Sequence, residues 1–114
     1  AFKAAALLGG SAVLAGAFGA HGLKALLSEQ SLEVWRTAVL YQFFHALALL
    51  VISGLPQQKA WQLSVWAWIL GVLIFCGSLY ALALGAPSKL GVITPIGGLA
   101  LCLGWFNLLR FKAQ

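Results

Sequence analysis

The sequence predicts an all-α polytopic membrane protein, a bundle of four transmembrane helices with sequential helices antiparallel. Three observations carry that expectation. Of the 114 residues, 62% are hydrophobic and 8% charged, against about 45–50% and roughly 25% in an average soluble domain. Mean hydropathy is +0.98. The apolar residues also gather into four runs, each near the roughly 20 residues a helix needs to cross ~30 Å of hydrocarbon. A chain this short buries too little of its surface to hide such a surplus from water. The surplus therefore faces lipid, and residues 1–114 read as a single membrane domain.

The first span covers residues 4–23 and ends in "GAFGAHGL". Its apolar run exceeds the roughly 7–15 residues of a signal-peptide core, so it reads as a span rather than a cleaved leader. The second covers residues 37–55, beginning near Arg36 and stopped by Pro56. Within "SEQSLEV" a serine N-cap, with Glu29 and Glu33 near the positive helix end, predicts a short amphipathic lead-in. The third runs over residues 61–84 ahead of "GAPSK". The fourth covers residues 92–109, with Pro95 in its first turn, where a proline loses no helical bond. "GVITP" is expected to enter the bilayer extended or as a turn, because the residue before proline resists the helical region. Trp35, Trp61, Trp66 and Trp105 sit near span ends, as an aromatic belt requires, whereas Trp68 lies deeper.

The net charge of +5 is spread singly over Lys3, Lys24, Arg36, Lys59, Lys89, Arg110 and Lys112. Nucleic-acid binding needs such charges clustered on one face, so none is expected. Four of these lie on the side of the termini and three (Lys24, Arg36, Lys89) on the other, which predicts both termini in the cytoplasm. Cys76 and Cys102 fall inside apolar runs without metal-ligand spacing and read as buried, unpaired thiols.

Small residues recur every four positions: Ala12, Gly16 and Ala20 in the first span, Gly77, Ala81 and Gly85 in the third. Gly97, Ala100 and Gly104 line one side of the fourth. Lipid provides no hydrophobic drive between helices, so association depends on close backbone approach at such places. These positions predict either packing within the bundle or a homo-oligomeric seam.

Converted to depth at ~1.5 Å per residue, the polar residues fall in the leaflet away from the termini. His21 and Thr94 come out roughly 3 Å below that boundary, Tyr80 near 6 Å, Gln42 and Ser78 ~9 Å, and His45 ~13 Å. The other leaflet holds Ser11, Ser53, Ser64 and Asn107, mostly small or near an end. Buried histidine and glutamine need partners inside the bundle. A hydrogen-bonded cluster of His21, Tyr41, Gln42, His45, Ser78, Tyr80 and Thr94 is therefore expected, with Arg36 above it. The cluster could be interhelical glue, a shallow binding or conducting site with His45 as titrating group, or a metal or haem site. Two histidines ~10 Å apart in depth are a poor pair for one iron, and no metal or cofactor is expected. No carboxylate lies within a span, and no hydroxyl or thiol is paired with a base in a nucleophile motif.

"GAFGAHGL", "YQFFHALALL", "IFCGSLYALALG" and "ITPIGGLALCLGW", in this order and over almost the whole chain, resemble the YgdD-like family of small bacterial inner-membrane proteins (domain of unknown function 423). The resemblance implies four spans and no defined activity. Its recurring polar positions map onto His21, Tyr41, Gln42, His45, Ser78, Tyr80 and Thr94, and Cys76 stands where a serine is more usual. The expected role is that of an accessory or interaction protein of a membrane complex or its lipids. The alternative is a small oligomeric channel or transporter using the polar layer, and an enzyme is the least expected class. Membrane lipids, a second copy or another membrane protein are the partners implied.

Overall fold

The computed structural model describes residues 1–110. It contains α1 (Phe2–His21), α2 (Glu29–Ser53), α3 (Trp61–Ala83) and α4 (Thr94–Asn107). Short 3₁₀ turns at Leu23–Ala25, Ser88–Val92 and Leu108–Arg110 complete the ends. Four segments are long and apolar enough to cross a membrane, the last running from Ser88 to Arg110. With four alternating helices, the start of α1 and the end of α4 lie at the same end of the molecule. Lys112 lies outside the described residues.

The second helix begins well before the expected residue 37. Ser28 caps it, its Oγ accepting the Ser31 backbone N–H at 3.1 Å, and Glu29 sits in the first turn against the positive dipole end. The anticipated lead-in is thus the first part of one continuous helix. At 25 residues it is ~38 Å long, more than the hydrocarbon thickness. The entry to α4 also departs from expectation. Ile93 is in the right-handed helical region, at φ −77° and ψ −32°, and the residues before it form 3₁₀ turns rather than an extended strand. Pro95 falls in the first helical turn, where its missing N–H has no helical acceptor to lose.

Helix packing is sequential: α1 against α2, α2 against α3, α3 against α4. The molecule is accordingly a row of antiparallel helices with α1 and α4 as its flanks, and its principal extents are 52 × 27 × 16 Å. Leu49, Trp68, Val72, Cys76 and Leu101 form the main core with Trp61 and Ile52. A smaller core of Leu23, Leu32, Trp35 and Ala83 lies at the end away from the termini. Leu7, Leu14, Phe44, Leu73, Leu99 and Phe106 point outward, as lipid-facing side chains should.

The small residues divide. Ala12 is fully buried, and a Cβ on Gly16 would lie 3.3 Å from Val39 Cγ1 of α2. Ala20 is exposed, and Gly19 takes the close position instead: a Cβ there would come within 2.6 Å of the Trp35 ring. The buried small residues of α1 are Ala5, Ala12 and Gly19, a seven-residue spacing that keeps one seam facing a partner helix better than a four-residue step. In α3, Gly77 faces open space and Ala81 is half-buried, so neither Gly77 nor Gly85 makes the expected seam. Gly71 does, with a Cβ there 2.7 Å from Leu101 Cδ2. Gly85 instead ends α3 with a φ of +104°. Ala86 N–H donates to Ala81 O at 3.0 Å and Gly85 N–H to Leu82 O at 3.1 Å, the paired bonds of a Schellman cap. In α4, Gly97 and Gly104 are buried, and Ala100 is half-buried. A Cβ on Gly97 would lie 2.8 Å from the Phe75 Cα, so α3 and α4 touch backbone to backbone there.

Trp35 and Trp61 are buried rather than part of an interfacial belt; Trp66 and Trp105 are exposed. Cys76 is buried, but Cys102 faces outward, and both are free thiols.

Candidate functional site

The intramembrane polar groups form separate links instead of one layer. The first centres on Gln42 of α2, which is buried. Its Nε2 donates to Leu8 O at 2.9 Å and to Ser11 Oγ at 2.7 Å, both on α1. Its Oε1 accepts the Tyr80 hydroxyl of α3 at 2.7 Å. Ser11 passes its own proton to Leu7 O at 2.7 Å. Every polar atom of the amide is engaged, and three helices are joined through one side chain. Beside it, Trp35 Nε1–H donates to Ala15 O at 2.8 Å, and the Trp35 and Tyr80 rings meet edge-on with centroids 4.6 Å apart.

The second link is His45. Trp105 Nε1–H of α4 donates to His45 Nε2 at 3.0 Å, and an indole N–H has no acceptor role. Nε2 therefore carries the lone pair, and Nδ1 carries the proton that it donates to Tyr41 O at 2.7 Å. One neutral tautomer satisfies both bonds. Trp68 lies edge-on to the imidazole, with centroids 6.2 Å apart. His45 thus connects α2 to α4 across the face of α3.

The third link joins α3 to α4. Ser78 Oγ donates to Phe75 O at 2.8 Å. A hydroxyl has one proton, so Thr94 must be the donor in the 2.6 Å Ser78–Thr94 contact. The fourth lies at the end of the termini. Ser64 Oγ donates to Gly104 O at 2.7 Å and accepts from Asn107 Nδ2 at 2.9 Å. Asn107 Nδ2 also donates to Ala60 O at 2.8 Å, and its Oδ1 accepts from Arg110 at 3.0 Å.

Of the expected cluster, then, Gln42 comes together with Tyr80, Ser78 with Thr94 and Tyr41 with His45, while His45 also takes Trp105, a partner outside the expectation. His21 and Arg36 are exposed and join none of these links. Tyr41, 43% exposed as a residue, contributes its carbonyl, and its ring lies parallel to His45 at 6.3 Å and near Phe75 at 4.8 Å between centroids. The depth reckoning failed because α2 starts at Glu29, which moves Gln42 to mid-helix, level with Ser11. Ser11, Ser64, Asn107 and Trp105 are the participants that sequence reasoning passed over. Ser64 and Asn107 did carry a signal: antiparallel helices place them at equal depth.

Chemically the links are closed. The hydroxyl protons of Ser11, Ser64 and Ser78 go to main-chain carbonyls, so none of these three is paired with a base that would activate it as a nucleophile. Among the described residues, no three His, Cys, Asp or Glu side chains are placed to hold a metal ion. Trp68 Nε1–H is buried without an acceptor, its edge lying over the Gly104 Cα.

Residues 15–98 match the family described as "Protein of unknown function (DUF423)". A UPF0382 membrane protein of Haemophilus influenzae is 44% identical over 105 residues, covering 90% of this chain and 85% of its own. The UPF0382 membrane protein YwdK of Bacillus subtilis is 42% identical over 101 residues, 85% of this chain and 82% of its own. A relative from Staphylococcus haemolyticus, also a UPF0382 membrane protein, is 46% identical over 96 residues, 82% of this chain and 79% of its own. No solved structure matches the chain.

Proposed function

The chain belongs to the DUF423 family, an integral membrane protein family, and from that premise we propose that it is an accessory protein of the bacterial inner membrane, acting through its apolar faces on a membrane complex or on lipid. One observation supports this reading above the others: the deep polar side chains are consumed in hydrogen bonds within the bundle, between helices and along them. Gln42 has three partners and His45 has one for each ring nitrogen. A conducting path needs polar groups left free to solvate the passenger, and a catalytic site needs them aimed at a substrate. Here they aim at one another. The open row supports the same reading, since α1 and α4 each keep a flank for lipid or a neighbouring protein.

The termini are assigned to the cytoplasm on the balance of basic residues. Cysteine labelling at Gln57 and Ser88, in a background lacking Cys76 and Cys102, tests this: Gln57→Cys should react from the cytoplasmic side and Ser88→Cys from the other.

Reconstituted into liposomes, the purified protein should pass protons and small solutes no faster than empty vesicles. Mild-detergent purification should recover a membrane partner or defined lipid in stoichiometric amount. A flux that His45→Ala abolishes would overturn the accessory role in favour of a channel or transporter.

A further inference from the structure

Sequential packing leaves α2 and α4 on either side of α3, and a concave apolar face opens between them. Near the termini it is a cavity of about 440 Å³ whose lining includes Val51, Leu55, Trp61, Trp68 and Leu108. A second cavity, of about 610 Å³, continues it past Trp105 to Tyr41 and His45. Ala48, Val51 and Trp105 line both. The buried indoles of Trp61 and Trp68 are its floor, while Val51 and Trp105, 63% and 46% exposed, are its walls. From Tyr41 to Leu55 the groove follows α2 for ~21 Å, enough to cross one leaflet of a ~30 Å hydrocarbon layer.

Its mouth is basic. Asn107 ties two elements together there, donating to Ala60 O at 2.8 Å and accepting from Arg110 at 3.0 Å. This holds the Arg110 guanidinium beside the Lys59–Ala60 segment. Lys59 and Arg110 are both exposed. The chain has two acidic residues, Glu29 and Glu33, and both belong to the first turns of α2 at the far end of the molecule. Among the described residues, no carboxylate competes for the two cations. Arginine's planar fork suits phosphate oxygens, and lysine adds a point charge.

We propose that the groove between α2 and α4 holds one anionic phospholipid, its acyl chain over Trp61 and Trp68 and its phosphate at Lys59 and Arg110. A greasy channel one leaflet deep, open to the bilayer and capped by positive charge, matches that molecule in shape and sign. The proposal stands apart from the accessory role, since a channel could carry the same lipid.

Native mass spectrometry of the full chain, with phosphatidylglycerol or phosphatidylcholine added at equal concentration, tests it. A single phosphatidylglycerol adduct should exceed its phosphatidylcholine counterpart by about thirtyfold, the effect of two basic residues at an anionic headgroup. Lys59→Gln with Arg110→Gln should bring the two lipids to near equality, and Val51→Trp, which fills the groove, should remove both adducts. On the unaltered protein, acyl-brominated phosphatidylglycerol should quench tryptophan emission saturably at low mole fraction. Equal adducts for both lipids, a phosphatidylglycerol adduct that survives Val51→Trp, or quenching that rises only in proportion to bulk lipid would overturn the proposal. So would a lipid-free dimer that Val51→Trp splits, which would make the groove a subunit seam.

Discussion

A glutamine amide within a bilayer has no water to turn to, so its worth depends on how many of its atoms find partners. Gln42 finds three, from Leu8, Ser11 and Tyr80. Intramembrane hydrogen bonds measured by double-mutant cycles average only about 0.6 kcal/mol, because the unfolded helices also find partners. The pair Gln42→Leu and Tyr80→Phe should therefore show a coupling of about 0.5–1.5 kcal/mol in a bilayer unfolding assay; additive effects would mean that the bond is not made. The glycines give a sharper contrast. Gly97→Ala must push its new methyl against the Phe75 backbone and should cost about 1–3 kcal/mol, as overpacking does. Gly77→Ala, with open space around it, should be neutral or stabilise by up to about 1 kcal/mol through reduced chain entropy. Sequence spacing put both glycines in the same class. It could not distinguish them, since a four-residue repeat does not say which face meets a helix and which meets lipid.

At the scale of the helices, termini were legible where a residue dictates backbone geometry. Pro56 follows the second span, Pro95 falls in the first turn of the fourth, and Ser28 caps α2 as the serine-rich loop suggested. What sequence obscured was continuity. Charged residues from Glu29 to Arg36 look like a surface segment, but they are the first two turns of the same helix, and counting depth from residue 37 displaced Gln42 and His45 by about two turns. One element-level prediction follows from the cap of α3. Gly85 sits at φ +104°, where a side chain costs roughly 1–2 kcal/mol, so Gly85→Ala should loosen the Ala86–Ala81 and Gly85–Leu82 bonds. Amide exchange at Gly85 and Ala86 should quicken while that of the α3 interior stays slow; unchanged exchange at both would show that the cap carries no such constraint.

For the whole molecule, composition and four apolar runs made the membrane architecture readable, because lipid permits few alternatives to a spanning helix. The site was only half readable. Residue type identified Gln42, His45, Tyr80, Ser78 and Thr94 as groups needing partners. The partners themselves were set by lateral order, which no periodicity encodes. A row of helices lets α4 reach back over α3 so that Trp105 meets His45, whereas a leaflet-by-leaflet count grouped His45 with His21. The resulting molecule is stitched by side-chain hydrogen bonds, and the proposed accessory role predicts that these bonds stay dry, whereas a conduit would wet them. Water-edited solid-state NMR in hydrated bilayers reads this directly. The Gln42 amide, the His45 Nδ1–H and the Trp105 Nε1–H should show no transfer from water, while His21 and Arg36 show strong transfer in the same sample. Strong water signals at Gln42 and His45 would reveal a wet path through the helices and contradict the account.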